Sequence, residues 1–169
     1  MAPIKHNLNF RIYPATLIAD FFLSHSDEEA GEVLSNLKVQ KLCYYAAGVA
    51  SAARREAASP LFNEKIEAWQ HGPVVVDLYH RFKTFGSNPI PRPNRTNFDE
   101  IETRDQKILC DVYEYYGQYS AWKLRNMTHE ESPWLHAFNR HDKTIKIHEL
   151  MEFFSEEFVE EYLESYLLH

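Results

Sequence analysis

The chain has 169 residues, of which 44% are hydrophobic and 14% aromatic, a composition typical of one packed globular domain. Its net charge is −7, and nucleic-acid binding requires a basic footprint, so we expect no direct nucleic-acid partner. No apolar run approaches the roughly 18 residues of a membrane helix, and the N-terminus has no signal pattern. We therefore expect a cytoplasmic protein without membrane contact.

The two cysteines, Cys43 and Cys110, each lie inside an apolar helical pattern. The sequence therefore predicts two separate core thiols rather than a disulfide framework, which is consistent with a reducing compartment.

The N-terminal part of the chain predicts two helices. Apolar spacing indicates the first over residues 14–25. Ser35 or Asn36 is expected to cap a long second helix that ends near Ala57. This helix contains a run of small residues over 46–53, which would let another element pack closely against it.

The next segment, 61–70, allows two interpretations. Leu61-Phe62 and the stretch from Ile66 to Trp69 could pair as a short β-hairpin, or the segment could cross the surface in an extended conformation. Gly72-Pro73 then forms a rigid corner, because Pro73 has a fixed φ and disfavours helix at the residue before it.

Four further helical regions follow the corner. They are 75–85, a helix from Thr103 or Asp105 to Gly117, 121–127, and a helix that starts at Ser132-Pro133 with Ser132 as the capping hydroxyl. Residues 147–169 are expected to form one broken helix or two helices, divided near Ser155. The whole pattern predicts a mainly α protein, a single-domain bundle of about six to eight helices with a short β-hairpin near 61–70 as one alternative.

The C-terminal segment is both acidic and amphipathic. Residues 147–169 contain seven glutamates and no lysine or arginine, so this segment accounts for the whole net charge. Its last helix has an apolar stripe opposite the glutamates. The stripe consists of Phe158, Val159, Tyr162, Leu163, Tyr166 and Leu167. It either closes the core or docks in a groove of a partner protein through Phe158, Tyr162 and Tyr166.

The nine histidines do not form a recognisable metal motif. His129-Glu130 and His148-Glu149 begin the H-E-x-x-H pattern, but Pro133 and Glu152 stand where its second histidine would be. No serine lies in a nucleophile elbow, and no glycine-rich phosphate loop is present. We expect no metal site, no cofactor and no catalytic residues.

Two compact groups of residues are candidates for recognition. The first is Trp69 to Pro73, and the second is Thr128 to Trp134. Core packing and partner contact are equally compatible with Trp69 and Trp134. The remaining enzymatic alternative is a hydrolase that uses His71 and His129, which requires the two imidazoles to converge in one pocket.

Several motifs, in order and with characteristic spacing, resemble the Panacea domain of SocA-like antitoxins, also known as phage-associated GepA-type proteins. They are Asn36–Ala46, Leu61-Phe62, Ile66–Tyr79, Tyr116-Gly117, Ser120-Ala121 with Leu124, Thr128-His129, Pro133-Trp134 and Ile147. The resemblance extends over about 14–155, and residues 156–169 would be an added acidic amphipathic helix. It implies a single Panacea-like domain over 1–169.

The resemblance also implies a function. It indicates the antitoxin of a toxin–antitoxin system, which neutralises a protein toxin encoded in the neighbouring gene by direct contact. An alternative is a proteolytic adaptor that presents its bound toxin to a ClpXP-type protease. The motif residues could define the fold or bind the toxin. They are Lys38, Gln40, Lys41, Tyr44, Tyr45, Trp69, His71, Gly72, Pro73, Tyr79, Thr128, His129, Pro133 and Trp134.

Overall fold

The computed structural model describes residues 9–27, 29–158 and 160–167, which form eight α-helices and one two-stranded sheet. In chain order the elements are α1 (Ala15–Ser24), α2 (Asn36–Ala53), β1 (Ile66–Trp69), β2 (Gly72–Val75), α3 (Val76–Phe82), α4 (Thr103–Tyr116), α5 (Ala121–Thr128), α6 (Ser132–Phe138), α7 (Ile147–Glu157) and α8 (Glu160–Leu167). A short 3₁₀ turn, Lys83–Phe85, extends α3. The predicted mainly α, single-domain fold is confirmed.

Helix α2 is the centre of the bundle. Every residue from Val39 to Ala53 is buried, and α2 contacts α1, α3, α4, α5, α7, α8 and β2. Its N-terminus is capped by Ser35, whose hydroxyl accepts a hydrogen bond from the backbone N–H of Lys38 at 3.3 Å. The helix ends at Ala53, four residues before the predicted end near Ala57.

The small residues of α2 have the predicted role. Gly48 faces the ring of Phe154 on α7, and a Cβ at this position would overlap that ring. Because glycine has no side chain, α2 and α7 can approach closely and bury Phe154 completely.

The hairpin forms with a different partner strand from the one predicted. β1 pairs antiparallel with β2, in the register Ile66 to Val75 and Trp69 to Gly72. Leu61 and Phe62 are instead buried in the core, and the Leu61 carbonyl accepts a hydrogen bond from the Tyr13 N–H at 2.8 Å.

The other edge of β1 is also covered. The N–H of Ala68 donates to the Lys143 carbonyl at 2.8 Å, and the N–H of Ile145 donates to the Ile66 carbonyl at 2.9 Å. β1 therefore makes backbone hydrogen bonds along both edges, to β2 on one side and to the segment 143–145 on the other.

Two smaller predictions are wrong. Cys110 is an exposed residue of α4, whereas Cys43 is buried as expected. Ser132 is the first residue of α6, and the N-cap of this helix is Glu131, whose side chain makes no capping hydrogen bond. The C-terminal segment forms two helices, and the break between them falls at Phe158, whose backbone is extended, three residues after Ser155. No helix within the described ranges is long and apolar enough to cross a membrane.

Candidate functional site

The corner at Gly72 holds the hairpin directly against α2 and α5. Gly72 has φ of +102°, and a Cβ there would lie 2.6 Å from Lys41 Cε and 2.7 Å from Thr128 Oγ1. Both distances are well below van der Waals contact, and this φ is unfavourable for residues with side chains. Glycine is therefore required by the backbone conformation and by the packing at the same position.

Lys41 lies under this corner and is completely buried. Its Nζ donates a hydrogen bond to the Pro73 carbonyl at 3.1 Å. Among the described residues no carboxylate forms an ion pair with it. Burial lowers the pKa of Lys41 to about 7, with a further contribution from the positive charge of Arg125.

Gln40 and Lys38 attach α2 to its neighbours. The Gln40 side chain accepts from the Val75 N–H at 2.8 Å and donates to Asn36 Oδ1 at 2.9 Å. Lys38 Nζ donates to the Gly117 carbonyl at 2.6 Å, and burial lowers the pKa of this amine. Both side chains have structural hydrogen bonds in the described structure.

The two predicted recognition groups lie together. Trp134 is buried, and its indole Nε1 donates to the Trp69 carbonyl at 2.9 Å. The His129 ring stacks on Trp134 with 3.9 Å between centroids. Thr128 Oγ1 donates to the Arg125 carbonyl at 2.7 Å, at the end of α5.

Tyr44 and Tyr45 share one carboxylate. Their hydroxyls donate to the two oxygens of Glu131 at 3.0 and 2.9 Å. Burial raises the pKa of Glu131 to about 7, although both hydroxyl donors oppose the change. Glu131 was not among the residues predicted from the sequence. Two adjacent tyrosine hydroxyls on a buried helix need hydrogen-bond acceptors, and this need could have indicated a buried carboxylate nearby.

Of the remaining motif residues, Trp69, Tyr79 and His71 lie nearer the surface. Trp69 is half-buried, and its Nε1 donates to Glu67 Oε2 at 2.8 Å. Its ring packs edge-on against that of Tyr79, with 4.8 Å between the ring centroids. Pro73 and Pro133 are buried. His71, in the hairpin turn, is exposed and is the most accessible motif residue. Most of the other motif residues make contacts that stabilise the fold.

A small exposed surface adjoins the corner. Trp122 on α5 is 56% exposed, its ring centroid lies 5.9 Å from that of His71, and the Arg125 guanidinium carbon lies 4.9 Å from the Trp122 centroid. We call His71, Trp122 and Arg125 the Trp122 patch. Trp122 and Arg125 were not among the predicted site residues, because neither belongs to a recognisable motif.

The C-terminal stripe packs onto the bundle. Leu163 and Tyr166 are buried, whereas Phe158 and Tyr162 are half-buried. The Tyr162 hydroxyl donates to Asp111 Oδ2 at 2.7 Å. This arrangement supports core closure as the role of α8. Val159, also predicted on this stripe, lies outside the described residues.

Tyr166 completes a buried polar network. Its hydroxyl donates to Asp105 Oδ1 at 2.6 Å and accepts from Arg54 Nε at 2.9 Å. The side chains of Arg54 and Asp105 are fully buried and form an ion pair at 2.8 Å. Tyr13 donates to the other Asp105 oxygen at 2.5 Å, so one carboxylate joins α1's leading segment, α2, α4 and α8. This network was not predicted from the sequence.

Comparison with known proteins identifies the family. The model of the family described as "Antitoxin SocA-like, Panacea domain" matches residues 39–135, more than half of the chain. The chain belongs to this family. Membership supports an antitoxin role in general, and the matched region contains the corner, Glu131 and the Trp122 patch. Comparisons with curated proteins and with solved structures give no significant match.

The contacts of His71 and His129 bear on the enzymatic alternative for this Panacea domain. No cluster of three or more His, Cys, Asp or Glu residues there could hold a metal ion. His71 is exposed, and His129 stacks on Trp134. The buried Nε2 of His129 has no hydrogen-bond partner among the residues that the structure describes. Neither imidazole is hydrogen-bonded to a described hydroxyl or thiol that it could activate.

Proposed function

We propose that the protein neutralises a protein toxin, encoded in the neighbouring gene, by binding the toxin directly. The observation that carries this proposal is the match of residues 39–135 to the SocA-like antitoxin family. Direct binding requires no catalytic group on the antitoxin, which agrees with the contacts made by His71 and His129.

The burial of the motif residues supports a division of roles within the domain. Lys41, Gly72, Thr128 and Trp134 hold the hairpin against α2, α5 and α6. Gly72 and the side chains of the other three residues are buried and cannot reach a partner unless the domain opens. The toxin must then bind to exposed residues that these contacts position.

Co-expression with the adjacent reading frame tests the proposal. We expect the neighbouring product alone to arrest growth, and the full chain to restore growth and to co-purify with it. A neighbouring product that is harmless, or one that remains toxic without forming a complex, would contradict the proposal.

The same strain distinguishes sequestration from the adaptor alternative. Sequestration predicts that the half-life of the toxin is unchanged or longer when the antitoxin is present, because the complex protects it. An adaptor for a ClpXP-type protease predicts a shorter half-life, and that shortening should disappear in a protease-deficient strain.

A further inference from the structure

The Trp122 patch contains hydrogen-bond donors that the described structure does not use. Arg125 makes one side-chain hydrogen bond, from Nη1 to Asn126 Oδ1 at 3.0 Å. Its Nη2 donates no hydrogen bond to residues 9–27, 29–158 and 160–167 and is accessible, whereas its Nε, also without a partner there, is buried and out of reach of another protein. No carboxylate in those ranges pairs with it. Unused donors on a guanidinium indicate capacity for a planar anion such as a carboxylate.

The charged groups that act on His129, behind the patch, are basic. Burial lowers the pKa of His129, which lies behind the patch, and the charges that lower it further are those of Arg125, Lys41 and His71. The exposed Glu130 belongs to the next turn, and its carboxylate pairs with none of these groups in the described structure. An otherwise acidic protein thus carries a local group of basic side chains.

The patch is also held rigidly. His71 lies in the turn between β1 and β2, whereas Trp122 and Arg125 lie on α5. The close approach of Gly72 to Thr128 fixes the turn against α5, and the Trp134 hydrogen bond to the Trp69 carbonyl fixes the end of β1. A preorganised surface has less conformational entropy to lose on binding.

We propose that the Trp122 patch binds an aspartate or glutamate side chain of the toxin. Arg125 and His71 contact the carboxylate, and the Trp122 ring packs against apolar atoms next to it. Tryptophan and arginine are the residue types most enriched at the energetic centres of protein interfaces. This inference rests on the proposed function, since it identifies where that partner binds.

The same observations favour a protein over a nucleic acid. A nucleic-acid site needs basic residues along a phosphate backbone, whereas this patch is compact and the protein has a net charge of −7. The negative charge of the rest of the protein would repel a polyanion but would not prevent contact with one acidic side chain.

Binding of a defined peptide tests the site without the toxin. The probe is a glutamyl-leucine dipeptide, acetylated and amidated so that its only charge is the side-chain carboxylate, with the glutaminyl-leucine analogue as control. The readout is the NMR signal of the Trp122 indole N–H. Trp69 and Trp134 serve as internal references, because their indole N–H groups are already hydrogen-bonded.

We expect saturable movement of the Trp122 signal with the glutamyl peptide, little movement with its glutaminyl analogue, and loss of the response in Arg125→Gln. Absence of a saturable response, or an equal response to both peptides, would overturn the proposal. Tighter binding of inorganic phosphate than of the dipeptide would overturn it in favour of a phosphate ligand. These outcomes do not depend on whether the neighbouring protein is a toxin.

A second measurement uses the antitoxin–toxin complex. Trp122→Ala and Arg125→Glu should each weaken the complex about tenfold or more, and the exposed Lys123→Glu should change it by less than about twofold. Circular dichroism must show that each variant remains folded. Unchanged affinity in both patch variants would refute the site while leaving the proposed antitoxin function intact.

Discussion

Replacement of Lys41 with methionine should change how the stability of the protein depends on pH. Lys41 is completely buried, its Nζ contacts the Pro73 carbonyl, and its pKa is lowered from 10.5 to about 7 mainly by burial. Methionine keeps a flexible apolar side chain of similar length but cannot be protonated. The variant therefore removes the titration and retains most of the packing.

The sign follows from the lower pKa in the folded state. Between pH 7 and 10.5 the unfolded chain holds a proton on Lys41 that the folded chain releases, so stability rises with pH in this interval. At 1.36 kcal/mol for each pH unit, the cost of burying this lysine approaches about 5 kcal/mol below pH 7. It falls by about 2 kcal/mol between pH 7 and 9.

Urea denaturation at pH 7, 8 and 9 measures this change. The difference in unfolding free energy between Lys41→Met and wild type should decrease by about 2 kcal/mol from pH 7 to 9. Loss of the hydrogen bond to Pro73 adds a cost of about 1–3 kcal/mol to the variant, but that offset does not vary with pH. The exposed Lys123→Met is the control and should follow wild type. Parallel curves for wild type and Lys41→Met would refute the reasoning.

Variants at three other positions test the core, and two of these positions have a compensating or control variant. Glu131 has a pKa raised from 4.5 to about 7, so between these pH values the folded chain holds a proton that the unfolded chain releases, and the stability of the wild type should fall as the pH rises. Glu131→Gln should lack that fall in the same assay. Identical pH profiles for the variant and the wild type would contradict this expectation. Gly48→Ala should lower the unfolding free energy by about 1–2 kcal/mol despite better helix propensity, and Phe154→Leu should partly restore it. Asp105→Asn should cost about 3–5 kcal/mol, because it leaves a buried guanidinium unpaired. Asp111→Asn, nearer the surface, should cost less than about 1 kcal/mol.

The helices were predictable because their signals are local. Apolar spacing, the Ser35 cap and the Gly-Pro corner each depend on residues close in the chain, and each predicted helix is present to within a few residues. β2 was missed because Gly72-Pro73-Val74-Val75 is buried throughout and has no alternation of polar and apolar residues. Proline also lacks the N–H that strand pairing normally uses, so Pro73 indicated that this segment would not be a strand.

The buried charges were not predictable for a different reason. Arg54 and Asp105 are 51 residues apart, and Tyr44 and Glu131 are 87 apart. No local pattern indicates which charged residue of a helix will face a distant partner.

The positions of Lys41 and Glu131 suggest why a small domain keeps ionisable groups that cost stability. Each group connects segments that are distant in the chain: Lys41 binds the Pro73 carbonyl of the hairpin, and Glu131 joins α2 to the start of α6. An apolar residue at either position could fill the space but could not specify which polar atom it must face. The Lys41 contact fixes the hairpin on α2, and the Gly72 corner packs against Thr128 at the end of α5, so Lys41 also helps to set the distance between His71 and Arg125. Loss of the Lys41 contact should therefore loosen the Trp122 patch even where the fold survives, so partner affinity should be more sensitive than stability to this buried residue.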